Sequence, residues 1–304
     1  MSQSTEFSVC IVGLGSMGMG AAKSCVRAGL STYGADLNPA ALETLKQAGA
    51  KAVATSATEF ADKLDAVLLL VVNAKQVKCI LFEGDKPLAP TLKAGTVVMV
   101  SSTISAQDAK EIERGLAEYN LIMLDAPVSG GAAKAATGDI TVMASGSQEA
   151  FTKIKPVLDA IAAKVYTVGD EIGLGATVKI IHQLLAGVHI AAGAEAMALA
   201  ARANIPLDIM YDVVTNAAGN SWMFENRMKH VVDGDYTPLS AVDIFVKDLG
   251  LVADTAKSLH FPLPLASTAL NMFTSASNAG FGKEDDSAVI KIFSGITLPE
   301  KKEA

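Results

Sequence analysis

Ser8-Val9-Cys10-Ile11-Val12-Gly13-Leu14-Gly15-Ser16-Met17-Gly18 is the stretch on which the architecture turns. Residues 8–12 form a short β-type run, glycines stand at 13, 15 and 18, and residues 17–28 have helical composition. An isolated GxGxxG is a weak signal. This one follows a strand, opens a helix and lies near the start of the chain, which is the context of a dinucleotide-binding loop. Gly13 permits the tight turn, Gly15 lets the backbone approach a pyrophosphate, and Gly18 lets helix and strand pack closely. The helix N-terminus offers its N–H groups to the phosphates. The loop Gly13, Leu14, Gly15, Ser16, Met17 and Gly18 is therefore read as cofactor-binding.

The next strand, residues 31–36, ends at Asp36, 18 residues beyond Gly18. A carboxylate there accepts hydrogen bonds from ribose hydroxyls and repels a 2′-phosphate, and Leu37-Asn38-Pro39 supplies no Arg to hold one. The expected cofactor is NAD rather than NADP. The competing reading of Asp36 is a solvated acid at a strand end.

Outward from this loop, short apolar runs alternate with amphipathic stretches. Residues 39–48 read as a second helix. Residues 66–72 are continuously aliphatic, as in a strand buried on both faces, and residues 96–100 and 121–125 repeat that character. Residues 140–144 and 164–168 read as later strands of the same sheet. Alternating strands and helices imply an α/β Rossmann-type, doubly wound parallel sheet. After residue 168 the pattern changes. Beyond the turn at 171–175 the chain reads as helical to its end, with a long helix leading into an all-α C-terminal domain. The expected domains are residues 1–170, binding NAD, and residues 171–304, serving substrate and oligomerisation.

Half of the 304 residues are hydrophobic, 19% are charged, and the formal net charge is −7. That is a globular balance, and without a basic patch nucleic acid and anionic membrane are poor partners. Residues 180–203 are rich in Ala, Leu and Ile. They also carry His182, Gln183, His189, Glu195 and Arg202, so they read as a buried helix rather than a membrane span. Residues 1–7 carry no secretion signal, and residues 301–304 read as a solvated tail. Cys10, Cys25 and Cys79 show no CxxC pairing and read as small buried hydrophobes of a reducing, cytoplasmic compartment. His182, His189, His230 and His260 lack Cys or carboxylate partners at metal-ligand spacing, so no metal site is expected.

Three stretches bear on chemistry. In Asp125-Ala126-Pro127-Val128-Ser129-Gly130-Gly131, the N–H groups of Ser129, Gly130 and Gly131 form either a nest for a carboxylate or an ordinary turn. In Gly173-Leu174-Gly175-Ala176-Thr177-Val178-Lys179, the lysine shares a helical face with His182 and Gln183. Buried, it is a proton acceptor with a depressed pKa; at the helix rim, it is a snorkelling lysine. In Val246-Lys247-Asp248-Leu249, Lys247 either reaches cofactor or substrate, or pairs with Asp248 at the surface.

These motifs together, GLGSMG, DAPVSGG followed by Gly138, GLGATVK and KDL, resemble the β-hydroxyacid dehydrogenase family, which includes 3-hydroxyisobutyrate dehydrogenase and tartronate semialdehyde reductase. The resemblance covers nearly the whole chain. It implies a Rossmann domain plus a helical domain that mediates homodimers or homotetramers. By position it makes Lys179 catalytic and Ser129, Gly130 and Gly131 carboxylate binders. Thr103 matches a cofactor-contacting threonine and Lys247 a lysine near the nicotinamide. Val71 and Val72 fall where the family often has Leu-Pro beside the adenosine. One departure stands out. Where the family commonly has two asparagines, this chain has His182 and Gln183. Gln183 keeps an amide able to bond a substrate hydroxyl or carboxylate. His182 is either new chemistry or a bulkier wall. With KIIHQLLAG at this position, the chain most resembles the L-threonate dehydrogenase branch, which oxidises a four-carbon sugar acid at C2. The alternatives are 3-hydroxyisobutyrate oxidation, tartronate semialdehyde reduction, or a non-catalytic NAD-binding, redox-sensing module.

Overall fold

The computed structural model describes residues 7–301; residues 1–6 and 302–304, on which the expectations of no secretion signal and of a solvated tail largely fall, lie outside the described residues. The chain divides into two compact units, residues 1–179 and 180–304.

In the first unit the strands are β1 (Ser8–Val12), β2 (Ser31–Ala35), β3 (Ala52–Ala54), β4 (Ala66–Leu69), β5 (Val97–Val100), β6 (Ile122–Asp125), β7 (Val128–Ser129), β8 (Ile140–Ser145) and β9 (Ala162–Gly169). Its helices are α1 (Ser16–Arg27), α2 (Pro39–Gln47), α3 (Ala74–Lys78), α4 (Ala106–Ala117), α5 (Gly131–Thr137) and α6 (Gln148–Ile161). The sheet order is β3-β2-β1-β4-β5-β6-β8-β7, with β9 on β8. Strands β1 to β6 pair in parallel. The sheet is dominated by parallel pairing, as expected, with one local exception: β8 runs antiparallel to β6 and β7. The reversal follows from the chain folding back through the short β7–α5 segment rather than through a long crossover helix.

The aliphatic runs behave as doubly buried strands must. Cys10, Val12, Val67, Leu69, Val98 and Val100 enter one core. The alternate residues Val9, Ile11, Ala66, Leu68, Val97 and Met99 enter the other. Each fully buried Val, Leu or Ile contributes about 1.5–3 kcal/mol of transfer free energy. These two cores fix the strand ends that carry the loops. The run expected over residues 66–72 stops being strand at Leu69, so Val71 and Val72 lie in the loop beyond β4.

The helix α7 (Leu174–Arg202) carries residues of both units. The second unit continues with α8 (Leu207–Thr215), α9 (Trp222–Asp233), α10 (Val242–Ser258) and α11 (Pro264–Ala276), around a core that includes Ile190, Met197, Phe245 and Phe273. α7 is long and apolar enough to cross a membrane by length and composition, yet half of its most apolar window is buried within the protein. The expectation of a buried helix is thus met only in part, because Ile181, Leu185 and Leu199 stand exposed.

Two cysteines meet expectation and one does not. Cys10 and Cys25 are buried, and burial pushes both thiols up, that of Cys25 to about 12. Cys79 is exposed at the end of α3, because the buried position of that segment is taken by Val77.

Candidate active site

The turn from β1 to α1 has the stereochemistry that its glycines foretell. A Cβ on Gly18 would lie 1.8 Å from the carbonyl oxygen of Gly13, and one on Gly13 would lie 2.6 Å from that of Leu70. A Cβ on Gly15 would meet no protein atom within 4 Å. The loop is therefore packed from behind at Gly13 and Gly18 and open in front at Gly15, the cradle a pyrophosphate requires. Among the described residues no side chain caps α1, and the N–H groups of a helix's first turn suit an anion. Leu14 is buried, and its backbone N–H donates to Asp36 Oδ2 at 2.6 Å. Asp36 Oδ1 accepts from the Asn38 N–H at 2.8 Å. Each carboxylate oxygen retains a lone pair for a ribose hydroxyl. These residues fit an adenine dinucleotide.

Strand β4 pairs with β1, and β5 with β4. Val71 and Val72 follow β4, and the Val71 N–H donates to Ser102 Oγ at 3.1 Å. Thr103 lies three residues beyond the end of β5 and is partly buried. Ser16 and Met17 open α1 at the front of the loop.

Ser129 closes β7 opposite Thr141 of β8, and Gly130 precedes α5 with φ of 132°, a conformation that favours glycine. A Cβ on Gly131 would meet nothing within 4 Å, so this turn, too, faces open space. The nest reading of Ser129, Gly130 and Gly131 is sterically feasible.

Lys179 is 6% exposed, and lysine is rarely so buried without a role or compensation. The start of its helix is held by an acid that sequence reasoning did not single out. Asp125, at the end of β6, is 1% exposed. Its Oδ2 accepts from the Gly173 and Ala176 N–H groups, each at 2.9 Å, and from the Ser145 hydroxyl at 3.3 Å. Ser145 Oγ in turn accepts from the Gly175 N–H at 3.0 Å. Burial pushes the Asp125 carboxyl up, and the N–H groups of Ala176 and Gly173 pull it back. Gly175 is required here because a Cβ would lie 2.6 Å from the Asp125 carbonyl oxygen and 2.7 Å from that of Met143. The available signal was an acid ending a buried strand ahead of a glycine-rich turn.

In the second unit, His182, Gln183, Lys247 and Asp248 form one chain of contacts. Gln183 Nε2 donates to Asp248 Oδ2 at 2.6 Å. Lys247 Nζ lies 2.7 Å from Asp248 Oδ1. His182 Nδ1 is 3.0 Å from Gln183 Oε1. Gln183 and Asp248 are buried, whereas His182 is exposed. The Lys247–Asp248 pair is thus no surface pair, because its acid is 2% exposed.

A family model described as the NAD-binding domain of 6-phosphogluconate dehydrogenase matches residues 8–169. A second, described as the NAD-binding of NADP-dependent 3-hydroxyisobutyrate dehydrogenase, matches residues 173–293. The chain is 79% identical over 304 residues to an L-threonate dehydrogenase of Pectobacterium atrosepticum, covering 100% of both chains. It is 55% identical over 293 residues to an L-threonate dehydrogenase of Cupriavidus necator, covering 96% of this chain and 98% of that one. The crystal structure of a 3-hydroxyisobutyrate dehydrogenase from Salmonella typhimurium superposes with a TM-score of 0.92 at 73% identity. That match covers 95% of this chain and 100% of the other. With the cofactor cradle, the buried lysine and these end-to-end likenesses together, the chain belongs to the 3-hydroxyisobutyrate dehydrogenase family of NAD-dependent hydroxyacid oxidoreductases.

Proposed function

We propose that this chain oxidises L-threonate at C2 to 2-oxo-tetronate with NAD as acceptor. The observation that carries the reading is the 79% identity, over the whole chain, to an L-threonate dehydrogenase. When bound, NAD supplies the hydride-accepting carbon. The GLGSMG loop holds its pyrophosphate, and Asp36 its ribose. Val71 and Val72 line the adenosine side, and Thr103 and Lys247 contact the cofactor. Ser129, Gly130 and Gly131 bind the substrate carboxylate through their N–H groups and the Ser129 hydroxyl. Gln183 hydrogen-bonds the substrate, and His182 lines its binding site. Lys179 accepts the C2 hydroxyl proton in its neutral form and returns it in the reverse direction. Residues 1–170 serve the cofactor, and residues 171–304 serve substrate and assembly.

The chain is read as a soluble cytoplasmic enzyme assembled as a homodimer or homotetramer. The exposed Ile181, Leu185 and Leu199 of α7 support a second copy as partner.

A second reading, 3-hydroxyisobutyrate oxidation, is favoured by the 73% identity to the Salmonella 3-hydroxyisobutyrate dehydrogenase. NADH formation across C3 and C4 hydroxy acids separates the two by kcat/KM. Lys179→Ala should lower kcat on the preferred substrate by roughly 10²–10⁴-fold while NAD still binds. Near-normal turnover of that variant removes Lys179 from the mechanism. Tight NADH binding without turnover of any hydroxy acid points instead to a non-catalytic redox-sensing module.

A further inference from the structure

The contacts around Gln183 have a polarity that can be read without seeing hydrogens. A carboxylate only accepts, so Gln183 must turn its amino group to Asp248 Oδ2, 2.6 Å away. Its carbonyl oxygen then faces His182 Nδ1 at 3.0 Å. A carbonyl also only accepts, so the hydrogen must sit on Nδ1. In the neutral imidazole this makes Nε2 the accepting nitrogen. The anchor of the series is firm: Asp248 is 2% exposed, and its other oxygen lies 2.7 Å from Lys247 Nζ. The far end, His182, is exposed.

We propose that Asp248 is a positioning residue which, through Gln183, sets His182 to accept a hydrogen bond from a substrate hydroxyl beyond the reacting carbon. His182 thereby selects polyhydroxylated acids. This rests on the threonate reading, since a monohydroxy acid has no second hydroxyl to offer. The Gln183 amide meets Asp248 with its amino end and His182 with its carbonyl end, so the polarity set at the buried acid runs on to the ring. The His-Gln pair therefore supplies a matched device.

The test uses the full-length enzyme with two readouts. In steady-state kinetics on L-threonate, His182→Phe should raise KM roughly tenfold, the value of one hydrogen bond, with a smaller change in kcat. Asp248→Asn should raise KM comparably. In the His182→Phe background, however, Asp248→Asn should add little, because its effect passes through the ring. Independent, additive effects on KM overturn the proposal. The second readout needs no substrate. Nitrogen-15 resonances of the neutral imidazoles, with His182 assigned from the His182→Phe spectrum, should show its hydrogen on Nδ1. In Asp248→Asn the population should shift toward Nε2. A neutral His182 bearing its hydrogen on Nε2 in the wild-type enzyme overturns the proposal even if L-threonate is the substrate. If the wild-type enzyme fails to turn over L-threonate, the substrate reading and the selectivity built on it fall together, while the tautomer result still decides the network.

Discussion

Asp125 reaches from the end of β6 to the first turn of α7 and accepts a hydrogen bond from the Ala176 N–H at 2.9 Å. The same oxygen takes the Gly173 N–H. A helix leaves its first N–H groups without internal partners, and here a buried carboxylate supplies them. Lys179 stands three residues beyond Ala176, so the acid fixes the turn that presents the lysine. Asp125→Ala should lower unfolding stability by about 2–4 kcal/mol, as hydrogen bonds to a buried charged acceptor are lost. It should lower kcat more than it changes KM for NAD. Denaturant unfolding and steady-state kinetics check both, and a variant with unaltered kcat would leave Asp125 with a structural role alone.

The two sides of the cofactor loop should respond differently to one added methyl group. At Gly18 the methyl would collide with the Gly13 carbonyl at 1.8 Å, so Gly18→Ala should lower both the melting temperature and the affinity for NAD. At Gly15 the methyl meets no protein atom within 4 Å. Gly15→Ala should therefore keep the wild-type melting temperature and still lose roughly tenfold or more in affinity, since the methyl stands where the pyrophosphate must approach. Calorimetric titration with NAD alongside thermal unfolding separates these cases.

Asp36 joins two tasks in the proposed reading, since it holds the Leu14 N–H and would receive the ribose. Asp36→Asn keeps an oxygen for Leu14 and removes the charge that repels a 2′-phosphate. The kcat/KM ratio of NADP over NAD should rise roughly tenfold. An unchanged ratio would mean that discrimination lies elsewhere.

The helical unit contains its own buried ion pair. Arg227 Nε lies 2.7 Å from Asp286 Oδ1, with side chains 8% and 0% exposed. Burial pushes the Asp286 carboxyl up to about 7 from its ordinary 3.8, against the pull of Arg227. Between these values the folded chain holds a proton that the unfolded chain has released, so this group's contribution to stability falls as pH rises through that interval. Arg227→Met removes the counter-charge. Its cost should approach roughly 3–5 kcal/mol above about pH 7, where Asp286 is ionised, and shrink near about pH 5, where it is neutral. Unfolding at both pH values tests this, and an equal cost at each would contradict it.

The sheet was largely legible because its central strands are buried on both faces, which forces continuous aliphatic runs such as Ala66–Leu69 and Val97–Val100. The cofactor loop was legible because its glycines fall at fixed short spacing behind a strand, and Gly18 is required by a contact with Gly13, five residues earlier. The antiparallel turn at β7 was not, since a two-residue strand has no periodicity to read. The roles of Asp125 and Asp248 were equally hidden. Asp125 meets the Gly173 and Ala176 N–H groups across 48 and 51 residues, and Asp248 meets Gln183 across 65; no local pattern encodes a pairing at that separation. The half-exposed face of α7 escaped notice because its composition alone suggests burial.

The uneven placement of the three cysteines has a practical outcome. A thiol-modifying reagent meets the sulfur of Cys79 on the native surface, whereas those of Cys10 in β1 and Cys25 in α1 are walled into the nucleotide-binding half. Consumption of the last two sulfurs therefore times the transient opening of that half, so the enzyme carries its own breathing clock with no label added.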